Sequence, residues 1–169
     1  MRLKNRYNFP IFIKPSNSGS SLVLGAGGAS RAVVAALLEQ GSSDVIVLNR
    51  TIERAQELRD KYDKRVRVEK WSSLNEIVAT CNNIINTTSL GMNDETAINI
   101  NPEAIFEKAL ISDLVYTPLE TNLLKIAKNR KIRFVEGLGM FIHQGVPGFE
   151  AWFGKTPLIT EDLRELLLQ

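Results

Sequence analysis

Apolar and polar positions along this chain fall into two alternating patterns. Short apolar runs occur at 21–25, 44–48, 65–69, 83–87, 110–115 and 132–136, and each reads as a strand. Between them, apolar residues recur at helical spacing over 29–40, 52–62, 73–81, 121–130, 139–152 and 160–168. In the first of these helices Ala32, Val33, Ala36, Leu37 and Leu38 share a face, and the pattern stops before Gly41. The runs around Ile111–Tyr116 and Ile132–Val135 bracket the helix over 121–130. Strands that alternate with helices need right-handed crossovers, and these give a mostly parallel sheet covered on both faces. No internal repeat of solenoid length is present.

Residues 1–20 stand apart from this rhythm. Phe9-Pro-Ile-Phe-Ile13 reads as one short strand, and Pro15-Ser-Asn-Ser-Gly-Ser-Ser21 has the composition of a linker. The expected organisation is therefore an irregular N-terminal segment over 1–20 and one domain over 21–169. Its fold class is α/β: a Rossmann-type, doubly wound, mostly parallel six-stranded sheet with helices on both faces. A chain of 169 residues accommodates one such domain and not two ordinary ones.

Composition narrows the picture only slightly. With 44% hydrophobic and 24% charged residues the chain is globular, and a net charge of +2 gives no argument for nucleic acid or a membrane surface. The sequence pI near 8.7 suits a mildly basic pocket. No apolar segment approaches the ~20 residues that span a bilayer. The N-terminus lacks a signal-peptide pattern. The single cysteine, Cys81, has no internal disulfide partner. It lies in an apolar helical pattern with Ile77 and Val78 and is expected in the core of a protein from a reducing cytoplasm. No metal site is read.

The candidate chemistry starts at Leu22-Val-Leu-Gly25-Ala26-Gly27-Gly28-Ala29-Ser30-Arg31-Ala32. A buried strand, a glycine turn and a helix start aim backbone N–H groups and a helix dipole at one point, where a pyrophosphate can sit. Gly25 permits the tight turn and Gly27 lets the backbone approach phosphate. Ser30 replaces the third small residue and still lets the helix lie against the sheet. At the end of the second strand an NAD-preferring domain usually carries a carboxylate for the ribose 2′-hydroxyl. This chain has Asn49-Arg50-Thr51 and then Arg54. A guanidinium clamps a 2′-phosphate through charge-assisted bonds and stacks on adenine, while Asn49 and Thr51 add neutral donors. Two arginines in the first turn of a helix also oppose its dipole unless an anion joins them. The expected cofactor is NADP.

Three further segments complete a pattern. They are Asn86-Thr-Thr-Ser-Leu-Gly-Met92, then Asp113-Leu-Val-Tyr116-Thr-Pro118 with Thr121-Asn-Leu-Leu124, then the run from Glu136-Gly137-Leu-Gly-Met140 to Gly154. With the glycine loop and Asn49-Arg50-Thr51, the chain from about residue 21 onward closely resembles the cofactor domain of shikimate dehydrogenases. That family carries out reversible hydride transfer between NADP(H) and the shikimate/3-dehydroshikimate pair. The resemblance implies pyrophosphate binding by the backbone of Ala26, Gly27, Gly28 and Ala29, and an adenosine-phosphate site at Asn49, Arg50, Thr51 and Arg54. It implies that Thr87, Thr88, Ser89, Leu90 and Met92 pass along the ribose and middle of the cofactor. Val115, Gly137 and Met140 would shape the nicotinamide pocket, and Tyr116 and Gln144 would reach substrate hydroxyls. His143 is assigned no chemistry. Phe141 stands where the family usually has leucine, and Phe149, Trp152 and Phe153 read as core or domain-interface aromatics.

The resemblance also implies a substrate domain ahead of this one, with a lysine in an Asn-Val-Thr-x-Pro-x-Lys motif and an aspartate in an Asn-Thr-Asp motif. Neither motif occurs in this sequence. General acid–base help is typically worth about 10²–10⁴-fold in rate. The expectation is that this polypeptide alone binds NADP(H) and turns substrate over slowly or not at all. No catalytic residue is assigned, and shikimate or 3-dehydroshikimate is a partner only alongside a completing domain. The leucines of the last helix, Leu163, Leu166 and Leu167, leave a homodimer open. Two other readings stand beside this one: a non-catalytic NADP(H)-binding module, and the NADPH domain of a glutamyl-tRNA reductase. The second does not account for 137–154.

Overall fold

Each apolar run becomes a strand, and all six strands join one sheet. The computed structural model describes residues 19–62, 64–93 and 96–168. The expected strand at Phe9–Ile13 and nearly all of the 1–20 segment lie outside the described residues. The elements run β1 (Ser20–Leu24), α1 (Gly28–Glu39), β2 (Val45–Leu48), α2 (Ile52–Arg59), β3 (Val66–Glu69), α3 (Leu74–Val78) and β4 (Cys81–Asn86). They continue with β5 (Leu110–Asp113), α4 (Asn122–Asn129), β6 (Arg133–Val135), α5 (Gly137–Phe153) and α6 (Glu161–Leu166). A 3₁₀ turn over Trp71–Ser73 leads into α3.

Strand order is β3-β2-β1-β4-β5-β6, and every pairing is parallel. The chain winds outward from β1 to β3, then returns to the other side of β1 for β4. This is the order of a dinucleotide-binding fold, with its crevice at the β1/β4 reversal. Strand periodicity divides the core in two. Val23, Val45, Val47 and Ile85 face α1 and α2, where Val33, Val34, Leu37, Ala55 and Leu58 meet them. Leu22, Leu24, Ile46, Leu48 and Ile84 face the other way, against α3, α4 and the 98–109 segment. Burying both faces is what makes the central strands continuously apolar.

The structure corrects three local expectations. The helix over 73–81 ends at Val78, and Cys81 instead opens β4, paired with Ser20. A short apolar stretch fits a helix face and a buried strand equally well, and the pairing with β1 decides it. Cys81 is nevertheless core, with no exposed surface. The strand expected over 110–115 stops at Asp113, whose carboxylate accepts from the Val115 N–H and turns the chain out of the ladder. Of the two expectations for Phe149, Trp152 and Phe153, core or domain interface, the first is excluded: they are 40%, 81% and 62% exposed. The Phe149 and Phe153 rings pair with each other, at 4.6 Å between centroids. In α5 the buried residues are Gly137 and Leu138. Apolar side chains bury only where a second layer faces them, and the layers here come from α1 to α4.

Candidate functional site

The C-terminal ends of β1, β2 and β4 are stitched into one platform. Gly25 N–H donates to Leu48 O at 2.7 Å, and Thr87 donates to Leu24 O through its N–H at 2.9 Å and its hydroxyl at 2.6 Å. Gly25 has φ +106°, outside the range that side chains favour, and a Cβ there would sit 2.8 Å from Thr87 Oγ1. The glycine is therefore required by the turn and by the close approach of the Thr87 and Thr88 side chains.

Beyond this turn α1 begins at Gly28 with Gly27 as N-cap, and no side chain caps it. A helix start leaves unsatisfied N–H groups and a partial positive charge. Nothing lies within 4 Å of where a Cβ would project at Gly27 or Gly28. Bare backbone thus faces open space at the mouth of the β1/β4 crevice. Ser30 is buried, and its hydroxyl donates back to Gly27 O at 2.7 Å, so the serine in the third small position both fits and is satisfied.

Arg50 and Arg54 flank the same opening from the start of α2, both exposed. Among the described residues neither guanidinium has an ion pair or hydrogen bond. Asn49 shapes their turn by donating to Thr51 O at 2.7 Å. Thr51 is the N-cap of α2, and its hydroxyl makes no capping bond. No carboxylate occupies the end of β2. The local charge is positive, and two cations sit where the α2 dipole opposes them.

The third wall is built from buried polar groups. Asp113, at the end of β5, accepts from Asn86 Nδ2 at 2.9 Å, from Val115 N–H at 3.0 Å and from Thr121 Oγ1 at 2.7 Å. Burial pushes its carboxyl above the usual value, opposed in part by these three donors, Thr121 foremost. Asn86 Oδ1 in turn accepts from Thr88 N–H at 3.0 Å and Thr88 Oγ1 at 2.7 Å, and its amide also donates to Leu90 O at 3.2 Å. Thr121 closes the circuit as the N-cap of α4. Opposite this, Gly137 starts α5 so close to the chain that a Cβ would lie 2.5 Å from Val115 O and 2.7 Å from Leu114 O.

A cleft of about 270 Å³ gathers Gly25, Ala26, Gly27, Asn49, Arg50, Arg54, Thr87, Thr88, Ser89 and Leu90. Every one of these was named from sequence. A neighbouring hollow adds Gly28, with Arg31 and Glu57, beside Ala26, Gly27 and Arg54. Ala29, in the first turn of α1, and Thr51 and Met92, on adjacent loops, line neither hollow. Val115 is buried under Gly137, while Met140 is half-buried and Gln144 exposed on α5. Tyr116 is exposed and stacks on Phe141, with ring centroids 4.3 Å apart and planes 26° apart. Sequence reasoning missed Trp71, which lines the same cleft and packs against the core on the Leu24 and Leu48 side of the sheet. Its signal was weak: one aromatic just past the β3 run, with no periodicity to distinguish it from core. The hub role of Asp113 was also missed, although its motif was noted. Among the described residues no three His, Cys, Asp or Glu side chains cluster as a metal site, and no helix is long and apolar enough to cross a membrane.

Comparison with known proteins follows the same outline. The family model described as shikimate / quinate 5-dehydrogenase matches residues 13–115, and that of the shikimate 5′-dehydrogenase C-terminal domain matches 137–168. A shikimate dehydrogenase (NADP(+)) from Mesorhizobium japonicum is 46% identical over 153 residues, which is 90% of this chain and 55% of that protein. Shikimate 5-dehydrogenase from Thermus thermophilus, in complex with NADP(H) and shikimate, superposes with TM-score 0.71 at 36% identity, covering 85% of this chain and 52% of that one. Quinate dehydrogenase from Corynebacterium glutamicum, in complex with NAD, superposes with TM-score 0.81 at 28% identity over 89% of this chain and 55% of that one. The chain thus spans about half the length of the curated relatives it matches. On sequence, strand order and the glycine loop alike, this chain belongs to the shikimate / quinate 5-dehydrogenase family.

Proposed function

We propose that this chain is the NADP(H)-binding part of a shikimate dehydrogenase-like oxidoreductase. One observation carries the choice of cofactor: two arginines without a partner among the described residues, and no carboxylate, stand at the end of β2 beside an uncapped helix start. The donor set fits a dinucleotide that bears a third phosphate. Ala26 to Ala29 hold the pyrophosphate with bare backbone, and Arg50 and Arg54 hold the 2′-phosphate, with Asn49 and Thr51 as neutral donors. Trp71, which lines the same cleft as Arg50 and Arg54, offers the adenine an aromatic neighbour. Thr87 to Leu90 and Met92 follow the ribose and middle of the cofactor, and Val115, Gly137 and Met140 bound the nicotinamide.

When bound, NADP(H) supplies or accepts the hydride. The residues of this chain grip and orient it and keep the nicotinamide side apolar. Tyr116 and Gln144 reach toward a polyhydroxylated acid such as shikimate, and the Phe141 stack fixes the Tyr116 ring for that task. Proton transfer and most substrate contacts come from a domain with the lysine and aspartate motifs absent from this sequence. A cytoplasmic setting accords with a free, buried Cys81 thiol.

Calorimetric titration with NADP⁺ and NAD⁺ tests the cofactor reading. Charge-assisted hydrogen bonds to a phosphate are worth about 1.5–3 kcal/mol, so NADP⁺ should bind about 10- to 100-fold more tightly than NAD⁺. Arg50→Ala should erase most of that preference while leaving NAD⁺ affinity nearly unchanged. Equal affinities, with Arg50→Ala unchanged, would overturn the proposal. Adding 3-dehydroshikimate and NADPH to the chain alone should give slow turnover or none. Robust turnover would show that no completing domain is needed.

A further inference from the structure

We infer that Asp113 is a positioning residue that holds in register the 88–90 loop, along the ribose and middle of the cofactor, and the Val115 turn of the nicotinamide pocket. The inference rests on the NADP(H) reading above, but the role of Asp113 lies in the hydrogen-bond circuit and not in any contact with cofactor. Asp113 is buried and lines neither hollow. Its Oδ1 accepts both the Asn86 amide, at 2.9 Å, and the Val115 N–H, at 3.0 Å. One carboxylate oxygen therefore ties the end of β4 to the turn after β5.

Each of those two partners carries a wall. Asn86 passes the constraint on through its other atom, because its Oδ1 accepts the N–H and hydroxyl of Thr88, and Thr88 Oγ1 then accepts from the Leu90 N–H at 3.1 Å. The 88–90 loop, which lines the cleft, is thus oriented by an amide whose own orientation is set by Asp113. Flipping that amide would turn its NH₂ toward Thr88 and its carbonyl toward a carboxylate oxygen, losing bonds at both ends. On the other side, holding Val115 N–H fixes the strand end against which Gly137 packs without room for a Cβ. The second oxygen accepts from Thr121, the α4 N-cap, at 2.7 Å and anchors the hub to the core. The carboxylate suits this place because it accepts all three bonds without donating any.

The arrangement separates the two ends of the cleft. Gly25 is held by its N–H bond to Leu48 O and the Arg50 turn by the bond from Asn49 to Thr51 O, and among the described residues neither turn bonds to Asp113 directly. Asp113 therefore governs affinity for the middle and nicotinamide parts of the cofactor more than for its 2′-phosphoadenosine half. The amide of Asp113→Asn can keep its oxygen toward Asn86 and Val115 and donate to the Thr121 hydroxyl, so it is the conservative variant.

The test is calorimetry with NADPH and with adenosine 2′,5′-bisphosphate, a ligand that lacks the nicotinamide half. It compares the unaltered chain with Asp113→Ala, Asp113→Asn and Thr121→Val. Asp113→Ala should weaken NADPH tenfold or more while leaving the bisphosphate within threefold. Asp113→Asn should restore NADPH to within threefold. Thr121→Val, which removes the α4 cap and one bond to the hub, should lower thermal stability but leave NADPH within threefold. If Asp113→Ala does not fold, Asn86→Ser cuts the same circuit while Asp113 keeps Val115 and Thr121, and it should show the same NADPH-selective loss. Unchanged NADPH affinity in Asp113→Ala, or an equal loss for both ligands, overturns the inference. Failure of the unaltered chain to bind either ligand overturns the cofactor reading instead.

Discussion

Replacing Gly137 with alanine adds one methyl group where the structure has no room for it. A Cβ on Gly137 would lie 2.5 Å from Val115 O, 2.7 Å from Leu114 O and 2.8 Å from Leu114 C. All three are backbone atoms, so no side chain can swing away. The start of α5 must retreat from the end of β5 by most of an ångström to reach ordinary contact. Overpacking of this kind typically costs about 1–3 kcal/mol, and occasionally more. Alanine returns at most about 1 kcal/mol of helix propensity, and less at a first helical position. The net loss should be about 1–2 kcal/mol, which lowers Tm by about 2–8 °C in a domain of this size. Gly139 provides the control, since it lies in the same helix with nothing within 4 Å of its Cβ position. Gly139→Ala should gain about 0.5–1 kcal/mol and raise Tm slightly. Differential scanning calorimetry of both variants decides the matter. If Gly137→Ala melts at or above the unaltered chain, the claim of close backbone approach is wrong.

The Cys81 thiol is fully buried, and its pKa is pushed up to about 11, chiefly by burial and then by the Asp44 charge. A thiol-specific reagent at pH 8 should label the native chain only on the timescale of unfolding and label it at once in denaturant. Rapid stoichiometric labelling of the native chain would contradict this burial. On the sheet, burial raises the Asp44 carboxyl, but bonds from Arg67 at 2.8 Å and Ser20 at 2.6 Å outweigh it and leave the group below its usual 3.8. A depressed carboxyl contributes stability above its unfolded pKa and loses it as pH falls through the folded one. With side chains 49% and 30% exposed, the Arg67–Asp44 pair should be worth under about 1 kcal/mol. Arg67→Ala should therefore shift the urea midpoint modestly at pH 7, less in high salt, and progressively less as the pH falls below 3.8 through the depressed carboxyl. An undiminished difference at pH 2.5 would assign the effect to packing.

The periodicity of the chain was enough to place six strands and six helices, because a strand buried on both faces and a helix buried on one leave different marks in sequence. It was enough, too, to place the cleft. Gly25, Gly27 and Gly28 report a backbone requirement that no neighbour can alter, and Arg50 and Arg54 follow β2 at a spacing set by the fold. These are local signals, written by residues close together in the chain. The boundary between α3 and β4 was not legible, since Ile77, Val78 and Cys81 satisfy either pattern until Cys81 pairs with Ser20.

Only the tertiary structure decided which distant residues meet. Asp113 and Asn86 are far apart in sequence, and neither announces the other. Their bond exists because β4 and β5 run parallel in a register that pairs those two positions. The need for glycine at 137 comes from the 114–115 backbone, and the place of Trp71 comes from the lie of β3 beside β2. Likewise, the aromatic end of α5 fitted either core or a domain interface in the sequence, and the structure excludes core. Hydrophobicity states a preference for burial, but burial requires a facing layer, and the packing of the described elements supplies none there. Pattern along a chain records what each residue needs from its environment, and assembly in three dimensions determines whether it is met.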